Sequence, residues 1–200
     1  MILDFRRNDM NTNEIVDILF DRSKEHHRTS KGFKCYFNLY RCNLSRNDVH
    51  NLFEFEIDKS LYSFNPSILI SIPEGEVGEI YSHDEKYNYD KLNYMMQIFS
   101  EDILKEYGKE LTYVVFSILH EVGHWEYICE NNYSPQEYEE KDFVERKSFY
   151  ENHKENDSEE AFWEYREITS EKEADKYAIS ELNNALKSIT NSKKDEHERE

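Results

Sequence analysis

The sequence predicts an α+β domain in which a small antiparallel sheet packs on a central helix and a C-terminal helix. Three observations carry this expectation. Residues 52–58 and 67–72 alternate apolar with polar side chains, the period of half-buried strands. Residues 111–129 are apolar on two sides of a helix, which suits a helix enclosed by other elements. Residues 174–189 repeat small and aliphatic groups at helical spacing. With 200 residues, no internal repeat and no Pro/Gly-rich linker, residues 1–189 are expected to form one domain, and the charged segment 190–200 a flexible tail.

Taken in order, residues 13–27 place Ile15, Ile18 and Leu19 on one face and predict a helix. Residues 33–42 (FKCYFNLYRC) are aromatic-rich and loosely alternating, which favours a strand over the helical alternative. In 52–58, Phe53, Phe55 and Ile57 oppose Glu54, Glu56 and Asp58. Asn65 and Pro66 mark a turn, after which Ile68, Ile70 and Ile72 line one face of a strand antiparallel to the preceding one. The polar, glycine-containing stretch 73–90 reads as a loop, followed by a helix over 89–107 that Gly108 ends. The acidic segment 131–157, interrupted by Pro135, reads as solvated loop or short surface helix. A last helix covers much of 158–189, with Ser170 and Glu173 at capping-box spacing should a new helix begin there. Its buried face is drawn from Ala174, Tyr177, Ala178, Leu182, Ala185 and Ile189.

Composition narrows the functional classes. There are 43 acidic against 25 basic residues, a formal charge of −18, so a phosphate backbone is repelled and no nucleic-acid partner is expected. Asp4, Arg6 and Arg7 break the first apolar run, so no signal peptide is expected; no segment reaches membrane-spanning length. Cys35, Cys42 and Cys129 lack CxxC spacing and read as reduced, packed thiols, in keeping with a cytoplasmic location.

The chemistry sits in the central helix. In LHEVGHW, His120 and His124 are four residues apart and share one face, so two imidazoles can reach one ion. Zinc takes neutral imidazole nitrogens, and a catalytic site needs three protein ligands with one position left for water. Glu121 stands beside the first histidine as the base for that water. For the third ligand, ITSEKEADKYAI offers Glu171, with Glu167 and Glu164 as alternatives that helical spacing leaves open. Asp175, one turn after Glu171, can accept a hydrogen bond from the free nitrogen of a liganding histidine, and the small Ala174 lets the two helices approach closely. An oxyanion donor is also required; His153 and Tyr177 are the candidates taken from a chain with 15 tyrosines. His26, His27, His50 and His83 read as solvated or locally bonded.

HEVGH followed by EKEAD resembles the HExxH and ExxAD patterns of zincin metallopeptidases of the glutamate-ligand branch. Within that branch, EKEADKYAISEL is most similar to the ImmA/IrrE family. The resemblance implies a zincin-like fold and cytoplasmic proteolysis of a protein substrate. It assigns zinc to His120, His124 and Glu171, and acid/base work to Glu121. Three features depart from the pattern: the long separation of His124 from Glu171, which reads as an acidic insertion; Glu126, where an apolar residue is expected; and the SELNNALKSI ending. The rival reading is a non-enzymatic acidic interaction or inhibitor protein on the same scaffold.

Overall fold

The computed structural model describes residues 10–20, 25–45, 52–58, 67–153 and 158–197. In chain order these form α1 (Thr12–Phe20), β1 (Glu25–Ser30), β2 (Phe33–Tyr40), β3 (Glu54–Asp58), β4 (Ser67–Pro73), α2 (Val77–Tyr87), α3 (Tyr89–Met96), α4 (Glu101–Tyr107), α5 (Lys109–Glu130), α6 (Pro135–Asn152), α7 (Glu159–Tyr165) and α8 (Thr169–His197). The class is α+β, and the sheet order is β1-β2-β4-β3. The Asn65–Pro66 turn, the N-terminal run, His50 and residues 198–200 lie outside the described residues, as do the side chains of His26 and His27.

The sheet is mixed, not antiparallel. β1–β2 and β3–β4 are antiparallel, the latter as expected, but β2 and β4 run parallel with Cys35 opposite Ile68 and Leu39 opposite Ile72. The reason is topological: β3 pairs with the far side of β4, so β4 enters beside β2 in the same direction. As one of the two strands with neighbours on both edges, β4 buries Ile68, Ile70, Ser71 and Ile72 together. The alternation read from 52–58 survives in β3, where Phe55 and Ile57 are half-buried and Glu54 and Glu56 exposed.

Several boundaries differ from expectation. α1 is described over Thr12–Phe20, and residues 25–27, expected in the same helix, enter β1. Pairing with β2 through a two-residue turn at Lys31 and Gly32, both at positive φ, overrides the helical character of SKEHH. Residues 77–87, read as loop, form α2, because Val77, Ile80 and Tyr81 supply a short buried stripe within a polar segment. The helix expected over 89–107 is broken at residues 97–100, where the Ser100 hydroxyl caps α4 by accepting from the Ile103 amide at 3.4 Å; Gly108, at φ 83°, ends α4 as expected. The last helix divides into α7 and α8 at Arg166–Ile168, and α8 continues through residues 190–197 that composition assigned to a tail. Ser170 does not cap it; its hydroxyl donates to Asp142 Oδ1 at 2.5 Å.

α5 is the axis of the core. Its buried residues run almost unbroken from Leu111 to Ile128, with the sheet packed on it and α8 laid along it. The α5–α8 contact is closest at Gly123, where an added Cβ would stand 2.7 Å from both Cα and O of Ala174. Glu126 is buried because Arg28 of β1 pairs with it, which explains a carboxylate where an apolar residue was expected. Arg28→Ala leaves that carboxylate without its guanidinium and is expected to cost about 1–3 kcal/mol in urea unfolding; an unchanged midpoint would show the pair to be dispensable. The three cysteines are free thiols. Among the described residues no helix is long and apolar enough to cross a membrane.

Candidate metal centre

α5 presents His120 and His124 one turn apart, and the first turn of α8 brings Glu171 to them. One donor atom from each of the three lies within 4.8 Å of the other two, and all three residues are buried. Among the described residues this is the one such group of histidine, cysteine and carboxylate side chains. His120 Nε2 is 3.2 Å from Glu171 Oε2, and His124 Nε2 is 3.7 Å from Glu171 Oε1. The other ring nitrogens are engaged: His120 Nδ1 lies 2.9 Å from Asp175 Oδ1, and His124 Nδ1 lies 3.1 Å from the Tyr138 hydroxyl. In the tautomers with the proton on Nδ1, where Asp175 and the Tyr138 hydroxyl oxygen accept, each imidazole keeps its Nε2 lone pair for the space shared with Glu171. This donor set could hold a divalent metal ion, since imidazole nitrogen and carboxylate oxygen are both ligands that such ions accept.

Charges in the cluster follow the same geometry. Burial alone pulls the His120 imidazole down, but its hydrogen bonds to Asp175 and Glu171 prevail and raise it to about 9. Burial drives His124 down to about 3, against the attraction of Glu171. Glu171 is held well below the usual carboxylate range: burial works against its charge, and the His120 hydrogen bond, with the His120 and Arg146 charges beside it, outweighs that burial. Burial raises Glu121 to about 7, opposed by the nearby His120 and Arg166 charges.

Glu121 and His120 open onto a cavity of about 400 Å³ between α3, α5 and α7. Its walls mix polar side chains with aromatic rings, Phe116, Phe149, Phe162 and Tyr165 among them. On the other side, Phe55 of the sheet-edge strand β3 packs with its ring centroid 5.4 Å from that of His124.

Of the residues singled out from sequence, His120, His124, Glu171 and Asp175 converge, with Glu121 beside them. The alternatives for the third ligand do not: Glu167 is exposed and pairs with Lys172 at 2.5 Å, and Glu164 is exposed with His153 Nε2 at 3.0 Å. His153 stacks on Phe149 and binds Glu164, and Tyr177 feels the Glu126 and Arg28 charges instead of the cluster. His83 is buried with Nδ1 3.4 Å from Asp84 Oδ1, the locally bonded of its two expected states.

Sequence reading missed four groups. Tyr138 backs His124; Arg166 pairs with Asp175; Arg146 Nη2 donates to Glu171 Oε1 at 2.5 Å; and the Tyr165 hydroxyl, reached by Arg146, donates to the same oxygen at 3.3 Å. Only the spacing of Tyr138, Asp142 and Arg146, each four residues apart, signalled a shared face, and it required reading 135–152 as a helix. No protein-family model matches the chain, no curated protein matches its sequence, and no solved structure matches its fold.

Proposed function

We propose that this protein is a zinc-dependent metallopeptidase of the zincin type, similar to the ImmA/IrrE family, that hydrolyses a peptide bond in a cytoplasmic protein. The observation that carries this reading is the convergence of His120 Nε2, His124 Nε2 and Glu171 on one buried point, beside a carboxylate that opens onto a cavity. Zinc held there supplies a Lewis acid that polarises the scissile carbonyl and lowers the pKa of water. Glu121 takes the proton of the attacking water on its carboxylate and returns it to the departing amine nitrogen. Asp175 and Tyr138 fix the two imidazole rings, so the ligands need no reorganisation. Tyr165, at the cavity wall, takes the donor role for the developing oxyanion that the sequence reading gave to His153 or Tyr177, turning its hydroxyl proton from Glu171 Oε1, 3.3 Å away, to the bound peptide. An extended peptide can add to the outer edge of β3, which pairs with no second strand among the described residues and whose Phe55 already packs on His124.

Equilibration with zinc followed by elemental analysis should find about one ion per chain, as expected for a single three-ligand site. His120→Ala and Glu171→Ala should each release it. Wild-type protein that takes up no zinc would sink the proposal. The formal charge of −18 supports a second reading, a non-enzymatic acidic interaction protein on the same scaffold. The two separate on Glu121, whose carboxylate a purely binding protein does not need.

A further inference from the structure

α6 is built inside out. A surface helix ordinarily buries its apolar residues and gives its charges to water. Here the exposed side chains include Phe143, Val144 and Tyr150, at 64%, 66% and 57% exposure. The face turned to the protein carries Tyr138, Asp142 and Arg146 at successive four-residue steps. Each of these three is committed to the metal centre or to the helix that carries it. The Tyr138 hydroxyl meets His124 Nδ1 at 3.1 Å. Asp142 accepts from the Ser170 hydroxyl at 2.5 Å, next to Glu171, and from Arg146 Nε at 2.5 Å. Arg146 then spends its other nitrogens on the Tyr165 hydroxyl and on Glu171 Oε1.

We infer that α6 is a clamp on the metal centre and that Arg146 is the positioning residue that holds Glu171 as a ligand. This rests on the proposed zinc site. A glutamate side chain has three rotatable bonds, and swinging away would carry its carboxylate out of reach of both histidines. The guanidinium fastens Oε1, and Oε2, 3.2 Å from His120 Nε2, is the oxygen on which it makes no hydrogen bond. Asp142 balances the Arg146 charge and holds its plane, so the fork is itself fixed before it grips the carboxylate. A helix attached by polar bonds to the ligands, and little by apolar packing, has its docking linked to metal occupancy: whatever orders the ligands orders the helix.

Arg146→Met keeps the reach of the side chain and removes its donors, and Arg146→Lys keeps the charge with a single point of contact. Zinc affinity, measured by competition with a chelator, should fall about 10–100-fold in Arg146→Met and by an intermediate factor in Arg146→Lys. In wild-type protein zinc should slow amide hydrogen exchange across residues 138–149, and in Arg146→Met this slowing should be lost. Zinc binding as tight as wild type, or tighter, in Arg146→Met would overturn the clamp, since a guanidinium acting only as a stand-in cation competes with the ion. If wild-type protein takes up no zinc, the peptidase proposal is what fails, and the clamp is judged in metal-free protein. There Arg146→Met should speed exchange across 138–149, and exchange unchanged from wild type overturns it. Should Arg146→Met not fold, Arg146→Lys and the wild-type exchange with and without zinc decide the question.

Discussion

Glu121→Gln is expected to retain zinc and to lower kcat/KM by about 10²–10⁴-fold, the usual contribution of a positioned acid/base group. The amide has the shape of the carboxylate and no negative charge, so a residue buried in α5 is replaced without a cavity or an orphaned ion. What disappears is the capacity to accept a proton from the attacking water. Zinc content is the control that separates chemistry from site assembly: His120→Ala and Glu171→Ala should lose both metal and cleavage, whereas Glu121→Gln loses cleavage alone. The measurement is digestion of a peptide library by the zinc-loaded protein, read by mass spectrometry. Cleavage at the wild-type rate by Glu121→Gln would remove this residue from the mechanism. A cellular effect that survives the substitution but weakens with added salt would favour the acidic interaction protein.

Gly123→Ala is the second change with a large expected effect, and it lies between the two histidines without touching either. In an exposed helix this substitution is favourable by about 1 kcal/mol, because alanine loses less backbone freedom. Here the new methyl would stand 2.7 Å from two backbone atoms of Ala174, and backbone cannot rotate aside. α5 and α8 must therefore separate, at a cost of about 1–3 kcal/mol for an overpacked contact. The same separation draws Glu171 away from His120 and His124, so zinc affinity should fall by at least about tenfold. Because the clash is with Cα and carbonyl oxygen, Ala174→Gly should not rescue it. Urea unfolding and chelator competition on the same samples test both halves, and a variant with wild-type stability and affinity would show that the helix crossing has slack.

The cluster was partly legible because much of its information is local. His120, Glu121 and His124 are placed by helical spacing alone and Asp175 by its one-turn step from Glu171, but spacing left Glu171 open against Glu167 and Glu164. The crossing of the two helices was half legible: Ala174 was recognised as small, but the closest approach is made by Gly123 inside the histidine motif. α6 was not legible, because its periodicity is carried by Tyr138, Asp142 and Arg146, which a hydrophobic pattern does not register, while Phe143 and Val144 fall out of phase. Its start was readable as Ser134-Pro135 with Glu137 three residues after Ser134, and the structure shows that capping box closed. β1 was missed for another reason. Its Ser30 hydroxyl binds the Tyr133 carbonyl at 2.6 Å and its Arg28 pairs with Glu126, so contacts about a hundred positions away decide its conformation. The parallel pairing of β2 and β4 is of the same kind, since nothing within either strand states which neighbour it will have.

That pairing has a consequence for how the chain acquires its shape. β4 supplies the only partner of β3 and one of the two partners of β2 among the described strands, so a growing polypeptide that ends before Ser67 can close no more than the β1–β2 hairpin. The ribbon that borders His124 has nothing to zip against until Ser67–Pro73 has been made. Assembly of the part of the sheet beside His124 must then wait for a long-range pairing, the kind of contact that slows folding.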